Sequence, residues 1–280
     1  MQKPNIGVIG HTGMVGSEVY KYFLKKKYKV YGLSTIDRNG FVQSPWEDIN
    51  KYCEIVFVCV PTPFDFTKRK ADFSIVRKVI KKIKPGKTVV LKSTVWPGTT
   101  DALQKIYPKL KMLFNPEFLS RSTSEADFAN PDRQLIGYTT RSKKEADLVS
   151  KILPKGKHHK VLKSSEAELI KYAHNVYGSI QIIYANHLYD ISKRIGADYD
   201  AVRYGFSASD FIGPGILRYM NVFHNGKRGF GGPCFPKDVN SFIEYCHKNK
   251  IKIELIEAAR NANVRILKSQ KMTEKSSEKY

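Results

Sequence analysis

The chain has 280 residues, 41% of them hydrophobic, with 48 Lys and Arg against 26 Asp and Glu and a formal net charge of +22. That length supports two modest cores. The absence of any long apolar run or secretory leader core excludes a membrane-spanning or exported class and leaves a cytoplasmic protein as the expectation. The four cysteines, Cys53, Cys59, Cys234 and Cys246, show no metal spacing and no disulfide framework, so neither a metal nor a disulfide is expected. The lysines are scattered, as in Lys25-Lys26-Lys27 and Lys81-Lys82, and no nucleic-acid motif accompanies them. They read as a solvated surface whose field helps to gather an anionic substrate, not as a nucleic-acid or membrane interface.

In chain order, residues 5–10 read as a buried strand entering a glycine turn, 17–26 as a helix and 28–33 as a second strand. Residues 53–60 are almost wholly apolar, as buried parallel strands are. A helix over 74–83 stops at Lys84-Pro85-Gly86, and a strand over 88–92 follows. A helix over 99–106 and strands over 111–114, 134–137 and 160–162 complete the alternation. The expected fold class is therefore α/β, with a Rossmann-type doubly wound parallel sheet over residues 1–163.

The pattern changes near Ser164. Residues 165–196 predict one long helix, with apolar positions at Leu169, Ala173, Val176, Ile180, Ile183 and Leu188. Ser165 and Glu168 have the spacing of a capping box. Short helices over 199–204 and 216–220 and clearer ones over 236–248 and 253–267 make 164–267 an all-helical domain. Residues 268–280 read as a polar, disordered tail.

The first strand runs into Gly10-His11-Thr12-Gly13-Met14-Val15-Gly16. Glycines at such a strand-to-helix turn let the backbone approach a pyrophosphate seated on the helix N-terminus. The spacing is one residue longer in its first half than the usual dinucleotide fingerprint. Where the second strand should end in a ribose-binding carboxylate, Ser34 stands instead, with Asp37 and Arg38 just beyond. NAD is the first expectation. NADP is the second, because small polar residues with an Arg suit a 2′-phosphate, whereas Asp37 reaches ribose hydroxyls only if the loop bends back.

Six segments in order resemble the UDP-glucose/GDP-mannose dehydrogenase family. They are Phe57-Val58-Cys59-Val60-Pro61-Thr62-Pro63, Lys92-Ser93-Thr94-Val95 with Gly98-Thr99-Thr100, Asn115-Pro116-Glu117-Phe118-Leu119, Asn130-Pro131-Asp132-Arg133, Glu168-Leu169-Ile170-Lys171-Tyr172-Ala173-His174-Asn175, and Gly231-Gly232-Pro233-Cys234-Phe235-Pro236-Lys237-Asp238. The Cys-Phe-Pro-Lys-Asp form leans towards the branch that oxidises UDP-glucose. The resemblance implies an NAD(P)-dependent oxidation of a nucleotide sugar, twice over, from primary alcohol to carboxylate. It also implies a homodimer formed through the central helix.

By that resemblance Cys234 is the nucleophile, Lys171 and Asn175 stabilise developing oxyanions, and Asp238 takes a proton or holds water. Glu117 assists thioester hydrolysis, and Thr94 positions water or touches the nicotinamide. The cofactor set is Gly10, Gly13, Met14, Val15, Gly16, Ser34, Asp37, Arg38, Val60, Pro61, Thr62, Thr94 and Lys237. Substrate falls to Glu117, Phe118, Leu119, Lys171, Asn175, Lys227, Arg228, Phe230 and Gly231. Lys171 and Asn175 are spaced i, i+4 and so leave one helix face together.

The chain departs from the family in several places. It ends where the family's central domain ends, without the third domain that grips the nucleotide of the sugar. Arg121 stands where many members have a second Glu, Phe211 replaces an Arg that reaches a neighbouring subunit's substrate, and residues 217–230 carry an apparent insertion. Two alternatives stay open: a two-domain hydroxyacid-type dehydrogenase acting on a smaller substrate, and a non-catalytic dinucleotide-binding homologue. The cysteine loop discriminates against the first, since a single hydride transfer needs no nucleophile.

Overall fold

A computed structural model describes residues 3–210, 212 and 214–279. The chain begins with β1 (Ile6–Ile9), α1 (Met14–Lys25), β2 (Val30–Leu33), α2 (Trp46–Tyr52) and β3 (Ile55–Val58). A hairpin of β4 (Phe64–Asp65) and β5 (Lys70–Ala71) precedes α3 (Ser74–Lys82), β6 (Thr88–Leu91), α4 (Thr99–Ile106) and β7 (Lys111–Phe114). Then come α5 (Ser124–Ala129), β8 (Arg133–Tyr138), α6 (Lys143–Ile152) and β9 (His158–Lys163). The remainder is helical: α7 (Ser164–Ile195), α8 (Tyr199–Ser207), a 3-10 turn (Pro214–Tyr219), α9 (Phe235–Lys248), α10 (Glu254–Ser269) and α11 (Glu274–Ser277).

By its contacts the chain divides into two units, residues 1–63 with 72–171 and residues 64–71 with 172–280. The first is built on a seven-stranded sheet of order β2-β1-β3-β6-β7-β8-β9. Strands β1 and β3 are buried along their whole length, because helices cover both faces of a parallel sheet. Val8, Phe23, Phe57, Val90, Leu113 and Ile136 form its core. The chain leaves β1 towards β2 on one side, and β3 lies on the other. The crevice at the carboxyl ends of β1 and β3 is thus a topological switch point, where such sheets bind ligands.

The sheet is not wholly parallel, as the alternation of elements suggests, but mixed: β8 runs antiparallel to β7, pairing Leu113 with Tyr138 and Phe114 with Gly137. Only the six-residue α5 lies between them, so no helix carries the chain back along the sheet and β8 enters from the end where β7 leaves. Helix α6 restores a parallel crossover to β9.

The predicted capping box at the start of α7 does not form. Glu168 is fully buried and caps α4 instead. Its carboxylate accepts the Gly98 and Thr100 backbone N–H groups at 2.6 and 2.8 Å and the Thr100 hydroxyl at 2.6 Å. Burial nevertheless pushes its pKa up to about 7, against the lowering effect of those bonds. A carboxyl whose folded pKa is raised stabilises the fold fully below its unfolded value and loses that contribution as pH rises through the folded one. Between about pH 4.5 and 7 the loss is on the order of 3 kcal/mol. Urea denaturation at pH 5 and pH 8 should therefore show a smaller pH effect in Glu168→Gln than in the unsubstituted protein. Parallel profiles for the two would remove Glu168 as the cause.

In the second unit Val176, Ile183, Phe230, Val239 and Ile243 pack with Ala259 and Ala262. The segment read as a disordered tail is folded as far as Lys279. Helix α10 continues to Ser269, and Thr273 caps α11 through reciprocal bonds with Ser276. Glu274 accepts from Arg260 at 2.6 Å and from Asn240 at 2.8 Å, and it pairs with Arg69 at 3.4 Å. Ser277 is buried, and its carbonyl accepts the Gly232 N–H at 2.8 Å. A polar composition did not mean disorder here, because the polar groups find charged and backbone partners. The hairpin joins this unit through Arg69, which also bonds Asn240, and through the Ala71 N–H, which donates to Glu244 at 2.6 Å.

Candidate functional site

The glycine loop of the first unit cannot hold larger residues. Gly10 has φ 84°, and a Cβ there would lie 2.3 Å from the Cys59 carbonyl oxygen. A Cβ on Gly16 would lie 2.1 Å from the Gly10 carbonyl oxygen. Gly13 donates its N–H to Gly10 at 3.0 Å and is the N-cap of α1, with no side-chain cap. The first turn, with Met14 and Val15, is left to a ligand, which is the cradle that a pyrophosphate requires. His11 turns inward, fully buried against Tyr20 and Phe41, and burial lowers its pKa. Gly32 makes room for this ring, since a Cβ there would come within 2.4 Å of it.

On the other side of the switch point the Ser93 hydroxyl accepts the Val60 N–H at 3.0 Å and donates to the Val60 carbonyl at 2.6 Å. This clip fixes the Val60-Pro61-Thr62 strand exit. Thr94 lies just beyond β6, after Lys92 and Ser93, and is half-buried. Lys92 and Lys171 are buried in the same unit. Lys92 donates to the Asn115 side-chain carbonyl at 2.6 Å, and burial pulls its pKa down to about 8. Lys171 meets Glu117 at 2.9 Å and also bonds the Glu117 backbone carbonyl at 2.7 Å. Burial is the largest single influence on the Glu117 pKa and would raise it, but the charge and hydrogen bond of Lys171, the Leu119 N–H and the Lys92 charge together outweigh it, and the net shift is downward. Glu117 also accepts the Leu119 N–H at 2.9 Å, and Phe118 lies under the Arg133 guanidinium at 3.8 Å.

In the second unit Cys234 is the N-cap of α9 and is half-buried. The glycines before it take positive φ, 85° at Gly229 and 72° at Gly232, which aims the chain into the helix. The Asp238 N–H donates to the Cys234 carbonyl at 2.8 Å, so the two residues sit one turn apart. The Asp238 carboxylate is only 1% exposed; it accepts the Asn175 amide at 2.6 Å and the Lys237 ammonium. Lys237, expected beside the cofactor, is thus committed to Asp238. Cys234 stands at the N-terminal end of α9. Burial pushes the thiols of Cys53 and Cys59 up to about 12, so neither serves as a nucleophile near neutral pH.

The insertion does not present its cations as expected. Arg228 is anchored on α7, bonding Asn186 at 3.0 Å and pairing with Asp190 at 2.6 Å, over the Tyr189 ring. Lys227 is exposed, in a turn closed by paired backbone bonds to His224. Phe230 is a core residue whose N–H and C=O both bond Asn263, with Gly231 following it. Phe211 lies outside the described residues. The structure adds residues that the motifs did not single out. Thr12 and Gln43 bond Ser34, and Lys92 with Asn115 forms a buried polar pair. The extra residue of the glycine loop was the available signal for Thr12; nothing local marked Gln43.

A glycine loop at the switch point of a Rossmann-type sheet, followed in the chain by a helical unit, defines the class of dinucleotide-binding folds. The central domain of the UDP-glucose/GDP-mannose dehydrogenase family matches residues 165–265, and that family's NAD binding domain matches residues 35–154. The chain belongs to this family. It is 32% identical over 223 residues to the UDP-glucose 6-dehydrogenase TuaD of Bacillus subtilis (strain 168), covering 75% of this chain and 46% of that one. A UDP-glucose 6-dehydrogenase of Rickettsia bellii is 32% identical over 225 residues, covering 76% and 50%. The structure of a UDP-glucose dehydrogenase from the archaeon Pyrobaculum islandicum superposes with a TM-score of 0.80 at 25% identity, over 96% of this chain and 71% of that one. The chain spans about half the length of these curated relatives.

Proposed function

We propose that the protein oxidises the primary alcohol of a nucleotide sugar, UDP-glucose, to the carboxylate of UDP-glucuronate. The observation that carries this reading is the buried Asp238 carboxylate, held by Asn175 and Lys237 one turn from Cys234 at the open end of α9. A single alcohol oxidation needs no cysteine there; a second oxidation through a thioester does.

The dinucleotide, when bound at the Gly10–Gly16 loop, supplies the hydride acceptor for each of two oxidations. Lys171 stabilises the alkoxide that precedes the first hydride loss, and the alcohol becomes an aldehyde. The Cys234 thiolate adds to the aldehyde carbon, and the Asn175 amide donates to the oxyanion of the thiohemiacetal. Loss of the second hydride gives a thioester. Glu117 activates water, whose attack releases the acid and returns the Cys234 thiol. Asp238 takes the proton that the alcohol gives up to become an alkoxide, and the proton that Glu117 takes from water goes to the Cys234 sulfur. Mixing purified protein with UDP-glucose and excess dinucleotide should yield two reduced cofactors per sugar consumed. One per sugar would instead support a hydroxyacid-type single oxidation.

We also propose a homodimer through α7. Tyr177, Tyr184 and Ile191, each seven residues from the next, are 61%, 46% and 55% exposed. They form an exposed apolar stripe, about 100° round the helix from the buried Val176 and Ile183. Sedimentation velocity should give a dimer that Ile191→Glu converts to monomer; a monomer before substitution removes the proposal.

A further inference from the structure

We infer that the adenosine end of the dinucleotide site is built for a 2′-phosphate, so that NADP is bound in preference to NAD. The inference rests on the dinucleotide-binding reading above and concerns its cofactor class.

Enzymes that select NAD place a carboxylate at the end of the second strand, where it accepts hydrogen bonds from the ribose hydroxyls. Here β2 ends at Leu33 and the next residue is Ser34. Its hydroxyl lies 2.7 Å from that of Thr12, the additional residue of the glycine loop. The two hydroxyls carry two protons and share one between them, which leaves one to donate outward. A carboxylate in that place would have none to donate and would repel a phosphate dianion.

The remaining groups point the same way. Arg38 donates to the Thr12 carbonyl at 3.3 Å and lies over the Phe41 ring with its guanidinium carbon 5.4 Å from the centroid. Stacking and a backbone bond hold the guanidinium beside the two hydroxyls, and among the described residues it has no carboxylate partner. Guanidinium is the group best matched to a phosphate. The one acid of the segment, Asp37, accepts the Gln43 amide at 2.7 Å. Gln43 in turn takes the Ser34 N–H at 2.9 Å and bridges alongside Gly32 of β2. Asp37 is therefore tied back to the loop that follows β2. The matched NAD binding domain begins at residue 35, beyond both Thr12 and Ser34, so the family match does not include the two hydroxyls.

The test is calorimetric titration of the full chain with NADP, NAD, 2′,5′-ADP and 5′-AMP at physiological ionic strength, which reads binding without turnover. NADP and 2′,5′-ADP should bind about tenfold tighter or more than their counterparts without the 2′-phosphate. Arg38→Ala, at an exposed position, should remove most of that ratio by weakening NADP and 2′,5′-ADP far more than NAD and 5′-AMP. Ser34→Asp should weaken NADP and strengthen NAD. Lys144→Ala, which removes a distant surface charge, should leave the ratio as it was. Equal or tighter binding of NAD overturns the inference and leaves the dehydrogenase reading standing. An equal effect of Lys144→Ala and Arg38→Ala also overturns it, assigning any preference to diffuse charge. Binding of neither dinucleotide overturns both readings.

Discussion

Cys234→Ser should abolish net formation of the acid, lowering overall turnover about a thousandfold or more. A serine hydroxyl at the start of α9 is not ionised near neutral pH, so it adds poorly to an aldehyde, and any ester it forms is less reactive to water than a thioester. Because Cys234 is half-buried and serine is close to it in size and shape, the substitution should leave the fold intact. The first oxidation needs only Lys171 and a hydride acceptor, so the variant should still reduce cofactor against the alcohol, with no more than one reduced per sugar. Rapid-quench product analysis separates the two outcomes. Retention of two-cofactor stoichiometry within tenfold of the original rate would move the nucleophile elsewhere.

The second large effect lies at Glu117 and Lys171. Their side chains are only 10% and 6% exposed, and they meet at 2.9 Å. Lys171→Met leaves the Glu117 carboxylate buried without its cation, at a cost of about 3–5 kcal/mol. Lys171→Met with Glu117→Leu removes both charges and should recover much of that loss while remaining inactive. The double-mutant cycle in urea thus reads the coupling directly. The pH dependence has a definite sign. Lys171 holds the folded pKa of Glu117 below its ordinary value, so the stabilisation is present above the unfolded pKa and is lost as pH falls through the folded one. If the single and double variants are equally destabilised, the pair contributes by packing and not by charge.

Much of the first unit was legible because its signals are local. The uninterrupted apolar run at Ile55–Val58 can be little other than a buried strand, and glycines at 10, 13 and 16 before an amphipathic stretch define their own turn. What failed depended on partners distant in the chain. Glu168 has the local spacing of a cap for α7, yet its donors, Gly98 and Thr100, come from about seventy residues earlier. Helix α6 escaped notice because only Ala146 and Val149 are buried on an otherwise charged surface. In the candidate site, the spacing of Cys234 and Asp238 could be read directly, but the bond from Asn175 to Asp238 joins two helices that no pattern links. Arg228 resembled a phosphate ligand only while Asp190, one of its partners on α7, was out of view.

The small hairpin at residues 64–71 bears on how such a chain can change by recombination. Those eight residues belong with the helical unit, while the residues on either side belong with the sheet. A single genetic crossover near residue 171 would therefore import a helical unit without its hairpin. The incoming α9 would have to fit an Arg69 and an Ala71 backbone chosen for another sequence. Exchange of one half alone is penalised at Asn240, Glu244 and Glu274 together, so the two halves are best inherited as one block.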